Sequence, residues 1–218
     1  MKNVIIFIAA ILVSVATTAQ DTTFQGFLQQ FPKATLPFTL GAEELKGQLE
    51  SRAAKTPVAK ATRLAWDYYA FLPTLEANAT ENRMPVYPEP VAMLETATHY
   101  AVVFNTGRNF ARQYKTYNIA VFDKSGNYIQ TRTIAGVNPT ALATATINEN
   151  LEVTIKEYSV NWSKDYITNG IEGNQILGLS PVATRTVNAA TAVKEAKEDW
   201  KNAPVAQQVA ATLIAENK

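Results

Sequence analysis

Few side chains in this sequence are of a kind that catalyses. His99 is the single histidine and there is no cysteine, which excludes two-histidine and thiolate metal sites, iron–sulfur clusters and thiol nucleophiles. A serine nucleophile would have to use His99 as its base, and no Gly-x-Ser-x-Gly elbow is present to display it. Ser180 comes nearest, in Gly178-Leu179-Ser180-Pro181, where the following proline argues against a strand-to-helix elbow. Asp123, Ser125 and Asn127 set three oxygens at alternate positions, as a calcium loop does. Their glycine arrives at the fourth position, Gly126, and no glutamate closes a twelve-residue frame, so the segment reads as a hairpin turn. Asn105-Thr106-Gly107-Arg108-Asn109 has one glycine and cannot cradle a phosphate. Paired carboxylates could hydrolyse a glycoside if the fold set two of them roughly 5–10 Å apart in one cleft, but Glu43-Glu44 and Glu195/Glu198 suit the solvent face of a helix. No catalytic residue, metal ligand or cofactor is assigned.

What remains is aromatic and apolar. Trp66, Tyr68, Tyr69, Trp162 and Tyr166 are the candidate ligand-binding residues, able to stack on a sugar or a peptide, with packing in core and rim as the competing role. Val205, Val209 and Leu213 recur every four residues near the C-terminus, with Ala206, Ala210 and Ile214 widening the stripe. That face needs a partner on this chain or another, and the stripe is the candidate interaction surface.

The elements that would position these residues change character along the chain. Apolar residues at 24, 27, 28 and 31 predict a helix ended by Pro32, and Leu36, Phe38 and Leu40 alternate as an edge strand would. Ala42 to Ser51 predicts a helix, and Thr56-Pro57 opens another running to about Leu72. Thr74 to Pro90 reads as a long loop ending in the turn Tyr87-Pro88-Glu89-Pro90. Six runs then read as strands: His99–Phe104, Thr116–Phe122, Tyr128–Ile134, Ala141–Ile147, Leu151–Tyr158 and about Ile176–Val187. Their short polar breaks predict hairpins, hence an antiparallel meander. From 191 the composition is helical again, and no repeat indicates a solenoid.

At the N-terminus, Met1-Lys2-Asn3 precedes an apolar run from Val4 to Val15 that is too short for a membrane span of about 20 residues. Small residues follow, and Thr17 and Ala19 fit the −3 and −1 positions of a signal peptide cleaved to leave Gln20, with a competing site after Ala16. About 200 residues then remain, enough for a stable core without cross-links, and no other stretch is long enough to span a membrane. Lys2 is the one charge removed, so the remaining chain is electrically balanced, and its scattered bases give nucleic acid no footprint.

Phe27-Leu28-Gln29-Gln30-Phe31-Pro32-Lys33-Ala34-Thr35-Leu36-Pro37-Phe38, then a helical stretch, then Tyr117-Asn118-Ile119-Ala120-Val121-Phe122-Asp123-Lys124-Ser125-Gly126-Asn127-Tyr128-Ile129, resembles uncharacterised exported proteins of Bacteroidota. The shared motifs serve packing and turns and imply no activity. They imply an outer membrane in the source, and the absence of a lipobox cysteine departs from many such proteins. The resemblance extends to Asp21-Thr22-Thr23, similar to O-glycosylation acceptors of those bacteria. A helical ending in place of a β-sandwich sorting domain favours the periplasm over the outer surface.

The expected architecture is α+β: a signal peptide at 1–19, an N-terminal helical part at 20–90, an antiparallel β-meander at 91–187 packed against those helices, and a helical C-terminal extension at 188–218. The expected function is that of a non-enzymatic cell-envelope binding or interaction protein whose partner is a protein, peptide or glycan. A small-ligand carrier with a barrel-like sheet and a carboxylate-dependent hydrolase are the alternatives.

Overall fold

A computed structural model of the chain describes residues 22–55, 62–75, 87–107 and 115–191. The expected signal peptide and the Val205/Val209/Leu213 stripe lie outside the described residues. The six runs of β-branched and aromatic residues form β3 (His99–Gly107), β4 (Thr116–Asp123), β5 (Tyr128–Val137), β6 (Ala141–Ile147), β7 (Glu152–Trp162) and β8 (Ile176–Asn188). Two further strands join them, β1 (Phe38–Leu40) and β2 (Tyr87–Glu95). Neighbours run in the order β2-β3-β4-β5-β6-β7-β8, every pairing of these strands is antiparallel, and β1 pairs with β6.

The expected α+β class is corrected by this sheet. The fold is mostly β, with only about 21% of the described residues helical. Besides α1 (Phe24–Leu28) and α2 (Ala42–Ala53), there are a 3₁₀ helix at Trp66–Phe71 and the single turn α3 (Tyr166–Asn169). No helix follows β8 among the described residues, so the helical C-terminal extension has no support in the structure. Of the helix expected from 56 to 72, residues 62–72 are described, and only Trp66–Phe71 are helical. Leu64 donates its amide to the Pro88 carbonyl at 2.8 Å, which ties this part of the chain to β2. Aromatics then crowd the remaining residues, which lose rotamer freedom in an α-helix.

β2 lies where a loop is expected. Its two prolines are tolerated because the strand ends the meander, where a missing N–H need not face a partner strand, and a register shift falls between Pro90 and Ala92. Its outer edge is covered in part by the N-terminal chain. Met93 donates its amide to the Pro32 carbonyl and accepts from Ala34, a short parallel bridge. The chain then reverses at Thr35–Pro37, where the Leu36–Pro37 peptide is cis, and returns as β1 along β6. β5 meets β6 only at Gly136–Val137, which leaves the rest of that edge of β6 open for β1. The gap between β2 and β6 is therefore filled by one N-terminal hairpin.

Two cores flank β2, β3 and β4. Alternate residues Leu94, Ala101, Val103, Ile119 and Val121 face an aliphatic cluster with Ile134, Leu142, Ile147, Val153 and Ile155, covered by Leu45 and Leu49 of α2. The intervening residues Met93, Val102, Phe104, Ala120 and Phe122 face an aromatic cluster with Phe27, Phe31, Tyr68 and Leu72. Period-two alternation places successive side chains on opposite faces, and here both faces are dry.

Candidate functional site

The sequence candidates do not form one surface. Tyr68 and Tyr69 are buried in the aromatic core, and Trp66 on the same 3₁₀ helix is 67% exposed. Trp162, half-buried on β7, packs against the aliphatic core and donates its indole N–H to the Pro139 carbonyl at 2.6 Å. Tyr166 is half-buried in the α3 turn after β7. His99 opens β3, with Nδ1 2.8 Å from the Thr98 hydroxyl. Asp123 closes the β4–β5 hairpin, accepting from the Ser125 and Asn127 amides and from the Asn127 side chain. The Asn127 side-chain amide, then the backbone donors, hold its carboxyl below the usual range. Ser180 lies on β8 and accepts from Asn161 Nδ2 at 2.8 Å. Glu43 and Glu44 sit in the first turn of α2.

One aromatic group does gather at the surface. A 3₁₀ helix has three residues per turn, so side chains at i and i+3 eclipse. Trp66 therefore lies over Tyr69, ring centroids 4.8 Å apart. The bond from Leu64 to Pro88 brings the preceding residue, Arg63, over the Tyr87 ring at 4.2 Å. Burial raises the Tyr69 phenol pKa; the neighbouring Tyr87 adds to this and the Arg63 guanidinium opposes it. The result is a flat, exposed indole on a rigid base, beside a guanidinium and two phenols. Such a platform can take an apolar face on its rings and an acceptor on its rim. Sequence reasoning found Trp66 and Tyr69 but missed Arg63 and Tyr87. Tyr87 is remote from Arg63 in the sequence, and no spacing signal links the two.

A buried polar row crosses β2, β3 and β4 on the aliphatic side, where Glu89, Asn105 and Tyr117 stand opposite one another in register. Lys115 pairs with Glu89 at 2.6 Å, and Gln48 of α2 donates to the Tyr117 hydroxyl at 2.6 Å. Burial pushes the Tyr117 phenol up to about 12. This row lies at the end of the sheet covered by α2, and its bonds tie that helix to the strands.

At the opposite end is an open cleft of about 560 Å³, lined by Lys33, Leu36, Met93, Glu95, Ala97 and Glu149 among others. It holds two acids. Glu95 is bonded to Lys124 at 2.7 Å, which holds its carboxyl below the usual range, the wrong direction for a proton donor. Among the described residues no group of three or more histidine, aspartate or glutamate side chains could hold a metal, and no helix is long and apolar enough to cross a membrane.

No family model, curated protein or solved structure matches the chain.

Proposed function

We propose that the protein is a non-enzymatic binding or interaction protein of the cell envelope, and that Trp66 with Tyr69, Arg63 and Tyr87 is its contact surface. The carrying observation is Trp66, a 67% exposed indole packed at a tilt against a buried tyrosine beside an arginine–tyrosine pair. Tryptophan, tyrosine and arginine are the residues that most often dominate binding energy, and here the helix that carries Trp66 and Tyr69 is packed on the aromatic core through Tyr68 and Tyr69. The partner is a protein, peptide or glycan; the electrically balanced chain offers nothing to nucleic acid. The side chains of the sheet interior, Leu94, Ile119, Leu142 and Ile155 among them, fill the space that a carried ligand would need, which weighs against the carrier alternative. The signal-type N-terminus, Val4 to Ala19, supports export.

The test is a partner captured from the envelope, identified, and titrated against purified protein. Trp66→Ala is expected to weaken its binding by at least about tenfold with an unchanged melting temperature. Undiminished binding by Trp66→Ala and Arg63→Ala alike would remove this surface from the function. Mass spectrometry of the exported protein is expected to show Gln20 as its first residue, and retention of Met1 would overturn the envelope assignment.

A further inference from the structure

The cleft at the far end of β2 belongs to a different part of the molecule from the Trp66 platform. β2 runs from Tyr87, under Arg63, to Glu95, about 25 Å at some 3.3 Å per residue. Along its outer edge the parallel pairing that begins at Lys33 and Met93 stops after one turn of the ladder. Met93 turns both its backbone groups outward to Pro32 and Ala34, so Glu95, two residues on, turns its N–H and C=O the same way. The N-terminal chain has by then reversed at Thr35–Pro37, and no backbone bond from Ala34 or Leu36 reaches Glu95. Glu95 is itself one of the residues that line the cleft, with Lys33, Leu36, Met93, Ala97 and Glu149.

The charges on its walls are of both signs. Lys33 stands on the N-terminal hairpin and Glu149 on the β6–β7 turn; both are exposed, and neither has an ion-pair partner among the described residues. Glu95 is bonded to Lys124, and the charge of Lys33 also favours its carboxylate without an ion-pair contact, so Lys33 keeps its hydrogen-bond donors for a ligand. A cation and an anion from different segments, neither of them in an ion pair among the described residues, with an unpaired strand edge at the same cleft, select a ligand that carries both charges and an extended backbone. We propose that the cleft binds a short zwitterionic peptide, its backbone added to β2 at Glu95, its α-carboxylate on Lys33 and its α-ammonium on Glu149. Strand addition gives affinity through the main chain, and capture of the termini sets the length. The volume is in the range of small-ligand clefts, about 300–1,000 Å³, and Leu36, Met93 and Ala97 supply its apolar part.

Trialanine is the probe, added to the isotope-labelled full chain and followed by amide NMR. The expected result is saturable shifts at Lys33–Leu36 and Met93–Ala97, with the Glu95 amide moving downfield as it gains an acceptor. N-acetyl-trialanine-amide, which keeps the backbone and loses both charges, is expected to bind at least about tenfold more weakly, and Lys33→Ala and Glu149→Gln each about fivefold more weakly. Both substitutions are at exposed positions and leave the fold intact, as unchanged spectra elsewhere will show. Equal binding of the blocked peptide would overturn recognition of the termini, equal binding of free alanine would overturn the peptide class, and the absence of shifts at Glu95 at saturating probe would overturn the site. Trp66→Ala leaves all of these results unchanged, so this proposal and the platform fail separately.

Discussion

Val103 and Phe104 are consecutive on β3, each essentially inaccessible, yet they belong to different cores. Val103 faces an interior made by the sheet folding on itself, where aliphatic side chains from β2 to β7 meet and α2 covers one end. Phe104 faces α1 and the 3₁₀ helix, five and six residues long. Helices so short have no stability of their own in water. What holds them is the rings: Phe27 lies 5.2 Å from Phe31, 5.0 Å from Phe71 and 5.7 Å from Phe122. On the aliphatic side packing follows from the strands; on the aromatic side the secondary structure follows from the packing.

The largest effect that can break this comparison comes from the two neighbours themselves. Phe104→Ala is expected to destabilise the protein by about 3–5 kcal/mol, against about 2 kcal/mol for Val103→Ala, which removes only two methyl groups. The distribution matters more than the size. In Phe104→Ala the Tyr68 and Leu72 amides, bonded within the 3₁₀ segment to Ala65 and Tyr69, should exchange with solvent well before those of β6 and β7. In Val103→Ala all should shift together. Uniform loss in both variants would show that the cores unfold as one and that the distinction is only geometric.

That asymmetry also explains what the sequence made legible. All six strands from His99 onward were visible because sheet residues declare themselves by local type and alternation. The helix expected up to Leu72 was misjudged because Trp66, Tyr68, Tyr69 and Phe71 signal burial without specifying a helical period, and the bond from Leu64 to Pro88 is a non-local fact. β2 was hidden by Pro88 and Pro90, read as turn residues when the strand end of a meander tolerates them. Of the candidate surface, the exposed indole was nameable and its arginine–tyrosine neighbour was not, since Arg63 and Tyr87 meet only once the chain is folded. The cleft at Glu95 was invisible for the same reason: it exists where one segment stops following another.

A second effect, of intermediate size, sharpens the aliphatic side. Tyr117 is an aromatic residue buried in that cluster, with its hydroxyl accepting from Gln48 and its phenol pushed by burial from 10.0 to about 12. The folded phenol keeps its proton to higher pH than the unfolded one, so its contribution is intact below about pH 10 and is lost as pH climbs to about 12. The loss is about 2 kcal/mol over that window. Urea unfolding at a series of alkaline pH values is the measurement. Tyr117→Phe starts less stable near neutrality, because Gln48 loses its acceptor, and declines less steeply, so the two curves converge. Parallel curves would mean that the phenol ionises as freely in the fold as outside it, and that the α2 end of this core is wet.

The smallest effect tests where the aromatic core stops. Gly126 sits in the β4–β5 turn at φ +87°, a conformation that L side chains rarely adopt, and a Cβ placed there would come within 2.8 Å of the Phe24 ring. Phe24 in turn lies 5.1 Å from Phe122 and 6.0 Å from Tyr100, centroid to centroid, so the turn forms one wall of the ring cluster. Gly126→Ala is expected to cost about 1–2 kcal/mol, partly from the left-handed backbone and partly from displacement of the ring. The two parts separate in a Phe24→Ala background, where the ring is gone and the backbone penalty of about 1 kcal/mol alone should remain. A smaller penalty there than in the native protein, read from melting temperatures of the four proteins of the cycle, places the hairpin turn inside the aromatic core. Equal penalties would leave the turn uncoupled from the rings, and that core would then end at Phe122 rather than at the hairpin beyond it.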